Sequence, residues 1–149
     1  MMNIDELNAQ ALFEAMHVAL SEGDMARLLN YCDDSITYWC NAGGMRAKPV
    51  EIVGKAVLRD YLESVAWVTE SVSVVDSFRL HEGRGYARIS GFMRHRKSKI
   101  TLAASYRQVV TFCDRKIVRL EEYHDAAQIV AFWRLLASEA PAFNATPCE

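Results

Sequence analysis

Residues 71 to 123 are dominated by β-branched, aromatic and alternating side chains, broken only by short polar turns. Those turns are His81-Glu82-Gly83-Arg84, the basic tip Arg94-His95-Arg96-Lys97-Ser98-Lys99, and Asp114-Arg115-Lys116. This run constrains the fold more than any other feature. Parallel neighbours need a crossover of about a dozen residues, so strands joined by turns this short must pair antiparallel. The pattern predicts strands over 71–80, 85–95, 100–113 and 117–123. Such a meander needs a partner to cover one of its faces.

The flanking segments supply that cover. The spacing of Ala9, Leu12, Phe13, Met16, Ala19 and Leu20 predicts a helix over 5–22 with one apolar stripe, ended by Gly23. Asp24 then caps a short helix to Asn30. Residues 35–41 read as a strand and 41–49 as a loop. Gly54 opens a third helix carrying Val57, Leu58, Tyr61, Leu62 and Val65 on one side. A last helix spans 126–137, with Ile129, Phe132, Trp133 and Leu136 as its apolar positions. The order is ααβαββββα, an α+β class, and 149 residues suit a single domain over 1–149. Residues 138–149, with Pro141 and Pro147, read as an arm or frayed tail.

Composition excludes several functions. A formal net charge of −2 argues against nucleic acid or an anionic membrane as the main partner, and the basic tip reads as a solvated hairpin end. No apolar run approaches the roughly 18 residues of a membrane span. The acidic, polar start does not read as a signal peptide, so a cytoplasmic protein with reduced thiols is expected. Cys32, Cys40, Cys113 and Cys148 form no metal-ligand spacing, and Cys32 and Cys113 read as small core fillers. There is no phosphate loop or cofactor fingerprint, so neither a metal nor a cofactor is expected.

The segment Ile117-Val-Arg-Leu-Glu-Glu-Tyr-His-Asp-Ala-Ala-Gln128 runs a strand directly into a helix. Asp125, at the junction, has two available jobs. With Gln128 three residues on, it fits a capping box, worth about 1 kcal/mol of stability and no activity. Alternatively it projects into whatever the sheet encloses and serves as an acid or base. By alternation His124 would face the other way, toward an interface or the surface. His17 borders the first helix's stripe and reads as a core or boundary histidine within reach of a pocket.

The chain resembles the nuclear transport factor 2-like superfamily in its SnoaL-like branch. The resemblance is carried by Ala19-Leu-Ser-Glu-Gly-Asp24, Asp33-Asp-Ser-Ile-Thr-Tyr38, Ile52-Val-Gly-Lys55, Phe112-Cys-Asp-Arg-Lys-Ile-Val118 and Glu122-Tyr-His-Asp125, in that order and spacing. It implies a cone-shaped, cystatin-like roll: a curved antiparallel sheet wrapped around helices, enclosing a pocket for a small apolar molecule. It also implies a homodimer through the outer sheet face. Where the family often has Asp-Gly after its long strand, this chain has Asp114-Arg115. A tight primed turn there would force Arg115 to a positive φ.

The resemblance implies that Trp39 and Asn41 face the pocket from the first strand and Arg88 and Ser90, with Tyr86 and Phe92, from the third. It places Tyr106 and Gln108 inward on the long strand, and Tyr123, Glu121 and Asp125 inward at the end. Compared with ketosteroid isomerases, Trp39, Met16 and Gln108 stand where that chemistry needs its base and two donors, which argues against it. Compared with limonene epoxide hydrolases, Arg88 and Asp125 match, but Ser90 replaces a required carboxylate. The polyketide cyclases of the branch lean on one acid/base aspartate, a role open to Asp125. The resemblance therefore implies acid/base proton transfer (cyclisation, isomerisation or dehydration) on a small apolar or polycyclic molecule. Asp125 and Arg88 would be catalytic, and Trp39, Asn41, Ser90, Tyr106, Gln108 and Tyr123 would line the ligand site. Two alternatives stand beside it: a non-catalytic ligand-binding or dimerisation module, and an accessory subunit of a larger enzyme.

Overall fold

The structure is a computed structural model. It describes the backbone of residues 4–144 and the side chains of residues 4–137. The helix α1 (Glu6–Glu22) starts at Asp5, whose carboxylate accepts from Asn8 N at 2.9 Å, and stops at Gly23, where a φ of 72° suits glycine. The helix α2 (Met25–Asn30) is capped in the same way by Asp24, which accepts from Arg27 N at 3.0 Å. Then follow β1 (Cys32–Gly43), β2 (Lys48–Val53), α3 (Lys55–Val68), β3 (Thr69–His81), β4 (Arg84–His95), β5 (Thr101–Cys113), β6 (Lys116–Tyr123) and α4 (Ala126–Asn144).

The strands form one sheet in the order β2-β1-β6-β5-β4-β3. The expected meander is β3 to β6, every neighbour antiparallel. The rest of the sheet corrects the sequence reading. β2 begins in the last two residues of the expected loop and runs on through residues 50–53, for which no element was expected; it pairs antiparallel with β1 at the sheet's edge, where the missing N–H of Pro49 is tolerated. β1 pairs with β6 in parallel, so the sheet is mixed rather than purely antiparallel. α4 continues through residues 138–144, expected to be a tail, whereas Pro147 and Cys148 lie outside the described residues.

Register shifts interrupt the sheet, and two single-residue bulges lie in the meander. Thr111 pairs with Arg119 and Phe112 with Ile117, which leaves Val118 as an extra residue in β6. Val75 pairs with Ile89 and Ser77 with Arg88, so Asp76 is the extra residue in β3. The turn between β5 and β6 is tight: Cys113 pairs with Lys116, and Asp114 and Arg115 take φ of 48° and 61°. Cys113 is exposed there, not a core filler.

The concave face packs on α1 and α3. Phe13, Ile36, Ile89, Val110 and Ile117 are fully buried, and Phe13 meets Phe78 with ring centroids 5.5 Å apart. In β1 the inward residues are Ile36, Tyr38, Cys40 and Ala42. In β4 they are Gly85, Ala87 and Ile89, and in β5 Gln108, Val110 and Phe112. None of the described helices is long and apolar enough to cross a membrane.

Candidate functional site

The concave side holds a cavity of about 360 Å³. Leu62 and Val65 from α3, Phe92 from β4, Leu102 and Ala104 from β5, and Ile129 and Trp133 from α4 give it apolar walls. Glu70 and Arg96, paired at 3.9 Å and 41% and 50% exposed, also line it and mark where it opens to solvent. The polar end is built from Tyr38 and Cys40 on β1, Tyr61 on α3, Ser73 on β3, Tyr106 on β5, and Glu122 and His124 from β6 and its exit.

Glu122 is the hub. Its Oε1 accepts from Gln108 Nε2 at 2.9 Å, and its Oε2 accepts from His124 Nε2 at 2.9 Å. The Tyr38 hydroxyl also bonds to it. Burial alone would raise its pKa. The His124 hydrogen bond and charge, then the Tyr38 and Gln108 hydrogen bonds, outweigh burial and hold the carboxyl below its ordinary value. His124 responds in the opposite sense. Burial would lower it, but hydrogen bonds to Cys40 and Glu122, and the charge of Glu122, push it up to about 10. The pair is therefore a carboxylate and an imidazolium at neutral pH. The two side chains are only 17% and 15% exposed, and both line the cavity.

The network extends inward from Gln108. Because its amide nitrogen serves Glu122, its Oε1 faces His17 Nε2 at 2.6 Å, which makes Nε2 the protonated nitrogen of that ring. His17 Nδ1 then accepts from Ser73 Oγ at 2.7 Å. Burial lowers the His17 pKa, the state this arrangement needs. Ser73 also bonds to Tyr106, whose hydroxyl burial raises well above its ordinary range. The Tyr106 ring stacks on His124 at 4.3 Å. On the other side Tyr61 bonds to Tyr38 and accepts Gly44 N–H at 2.9 Å; burial pushes it up to about 12. Among the described residues no buried side-chain nitrogen or oxygen lacks a partner.

The structure brings Tyr106 and Gln108 to this site, on the face expected of them. Others of the expected residues lie elsewhere. Trp39 and Tyr123 are on the opposite face, packed together at 5.1 Å. Arg88 is exposed in an outer groove beside Tyr86, Arg107 and Tyr123, and Ser90 bonds to Asp76 at 2.9 Å on the outer side. Asp125 is exposed and caps α4, accepting from Ala127 N at 3.1 Å and Gln128 N at 3.3 Å; it does not line the cavity. Asn41 holds the site indirectly. Its amide clamps the His124 backbone, donating to the carbonyl at 2.9 Å and accepting from N–H at 2.8 Å.

The physical reason for the inversion differs from strand to strand. In β6 the bulge at Val118 shifts the phase. Counting by twos from Ile117 reaches Glu121 and Tyr123, but past the bulge Leu120, Glu122 and His124 point inward. In β1 and β4 the signal was present: Ile36, Tyr38, Cys40, Ala42 and Ala87, Ile89 alternate with more polar residues. The resemblance, which puts Trp39 and Arg88 inward, implies the opposite face. Cys40, Glu122 and His124 are the one His, Cys, Asp or Glu group among the described residues with donor atoms close enough for a cation, all within 4.8 Å. A cation there would have to displace the bonds His124 makes to Glu122 and Cys40, so the set fits a proton pair better.

Comparison with known proteins shows the fold. No family model matches the chain, and no curated protein does. Among solved structures it is similar to TerC co-crystallised with polyporic acid, with a TM-score of 0.74 and 14% identity over 85% of this chain and 98% of that one. An LEH-like epoxide hydrolase from M. tuberculosis gives 0.72 and 14% over 91% of this chain and 98% of that one. An NTF2-like protein of unknown function from Burkholderia pseudomallei gives 0.72 and 14% over 84% and 96%. The chain has the nuclear transport factor 2-like fold.

Proposed function

We propose that this protein is a small-molecule enzyme that transfers protons within its cavity, on a mostly apolar substrate, in a cyclisation, isomerisation or dehydration. The observation that carries the reading is the Glu122–His124 pair, 2.9 Å apart at the polar end of an apolar cavity of about 360 Å³. Sites of this size lined by apolar walls with a few convergent polar groups suit small ligands. Glu122, held ionised, takes a proton from an activated carbon of the substrate. His124, held protonated, gives one back at a second position or to a developing oxygen anion. Tyr38 and Tyr61 offer hydroxyls to a substrate carbonyl. Gln108 and the Asn41 clamp hold the pair, so little reorganisation accompanies the reaction. That TerC, whose fold is similar, was co-crystallised with polyporic acid supports a small-molecule role for this cavity.

The test is solvent deuterium uptake. A panel of flat apolar carbonyl compounds is incubated with the protein in heavy water and followed by mass spectrometry. At least one compound is expected to exchange an activated C–H, and Glu122→Gln to slow that exchange by roughly 10²–10⁴-fold, the usual worth of one general acid or base. Equal exchange in both proteins would overturn the reading. Because the polar network is fully paired, a non-catalytic binding module is the second reading; it predicts binding of panel members with no exchange at all.

A further inference from the structure

The thiol of Cys40 has no part in the proton transfer above, yet it sits in that same polar end. Cys40 and Glu122 are neighbours across the parallel β1–β6 ladder, and His124, two residues beyond Glu122, lines the same cavity. The sulfur, a ring nitrogen and a carboxylate oxygen all lie within 4.8 Å of one another. His124 Nε2 bonds to Glu122 Oε2 at 2.9 Å, within the same cluster as the sulfur. A nucleophile, an imidazole and a carboxylate are thus gathered at one point of the cavity. The other described thiols differ. Cys32 is buried on Leu28 O at 3.8 Å, and burial pushes it up to about 11; Cys113 is exposed on the hairpin turn.

We propose that Cys40 is a nucleophile, activated by His124 and Glu122, that adds to a conjugated α,β-unsaturated carbonyl compound bound in the cavity. The sulfur enters the step as a thiolate beside the His124 imidazolium, which the carboxylate of Glu122 stabilises. The thiolate pair forms a C–S bond to the β-carbon. The C=C π pair moves to the carbonyl oxygen as an enolate, beside the Tyr38 and Tyr61 hydroxyls. The imidazolium then gives its proton to the α-carbon. The sum is addition of S–H across the double bond, with His124 neutral at the end and no oxidant or leaving group. Removal of the α-proton reverses the step and expels the sulfur. A soft thiolate facing an apolar cavity matches this class of soft, flat electrophile. The inference rests on the cavity being a small-molecule site, but not on proton transfer from the substrate's own carbon.

The experiment is alkylation by acrylamide and by N-ethylmaleimide, located by peptide mass spectrometry across pH 5 to 10. Cys40 is 2% exposed, so any reactivity it shows must come from access through the cavity and from activation. At pH 6 Cys40 is expected to react about tenfold or more faster than exposed Cys113, because the positive imidazolium beside it favours the thiolate. His124→Asn should slow Cys40 by about the same factor and leave Cys113 unchanged. The wild-type pH profile serves if that variant misfolds: a Cys40 rate already on its plateau near neutrality supports the proposal. A rate that climbs only through the ordinary thiol range overturns it, as does an unmodified Cys40. Protection of Cys40 by added zinc, with no fast alkylation in a chelator, also overturns it, in favour of a cation site. Fast Cys40 labelling without deuterium exchange on the panel would sink the proton-transfer reading alone; exchange with an inert Cys40 would sink this one alone.

Discussion

Glu121 and Glu122 are adjacent, chemically identical, and on opposite faces of β6. Glu121 looks outward, where Arg119 lies 3.4 Å away and Arg84 4.0 Å away. Those guanidinium groups are 33% and 48% exposed, on long side chains that water can also serve. Glu122 looks inward, where Gln108, Tyr38 and His124 are its partners and solvent reaches it only through the cavity. The Glu121 and Glu122 side chains are 14% and 17% exposed, so the difference teaches that the partners, not residue type or exposure, decide what a carboxylate does. The outer glutamate is one member of a charge cluster whose arginines stay solvated. The inner one holds a single geometry, because losing any partner would strand a polar group away from water.

Breaking the inner pair should have the largest effect. Glu122→Gln is expected to destabilise by roughly 3–5 kcal/mol, as for a buried pair that loses one member, whereas Glu121→Gln costs about 0–1 kcal/mol. Urea unfolding of both variants checks this, and equal losses would erase the distinction. The pair should also leave a two-sided pH signature. His124 is raised from 6.5 to about 10, so its contribution is fully present below 6.5 and is lost as pH rises toward about 10. Glu122 is lowered from 4.5, so its contribution is present above 4.5 and is lost as pH falls through the depressed value. Wild-type stability should therefore peak between those ordinary values, and Glu122→Gln should flatten both limbs. NMR titration of the His124 ring, expected to stay protonated past pH 8 in the wild type and to lose that in Glu122→Gln, gives the microscopic check.

Smaller effects sharpen the contrast between the cavity and the strand-to-helix junction. Asp125→Ala should cost about 1 kcal/mol through the lost cap and leave deuterium exchange and Cys40 labelling unchanged. A large drop in either would return Asp125 to the site. At the far end of β6, Arg115 sits at a φ of 61°. Arg115→Gly should stabilise by about 0.5–1 kcal/mol, the strain relieved less the freedom added to the unfolded chain. Thermal melts test both.

Much of the fold was legible. The stripe on α1, the cap at Asp24 and the β3–β6 meander follow from local sequence, and the resemblance supplied the inward face of β5. Part of the site was also within reach, because Ile36, Tyr38, Cys40 and Ala42 alternate cleanly against Thr37, Trp39 and Asn41. A large aromatic at Trp39 attracted the wrong face: its ring packs on Tyr123 outside instead of on a ligand within. Glu122 and His124 were out of reach for a different reason. One extra residue at Val118 reverses the phase of β6, and nothing about Val118 itself announces a bulge.

By itself the sequence determined the helices, every strand but β2 and the α+β class, because helix and strand periods are written in residues a few positions apart. Only the tertiary structure decided which polar groups meet. His17 and Gln108 are 91 positions apart and touch at 2.6 Å. Cys40 meets Glu122 only because β1 and β6 lie side by side in parallel, a pairing between distant segments. Such contacts depend on bulges, register and the curvature that closes the cone. These are set when the whole sheet packs against its helices, and no local window of residues carries them.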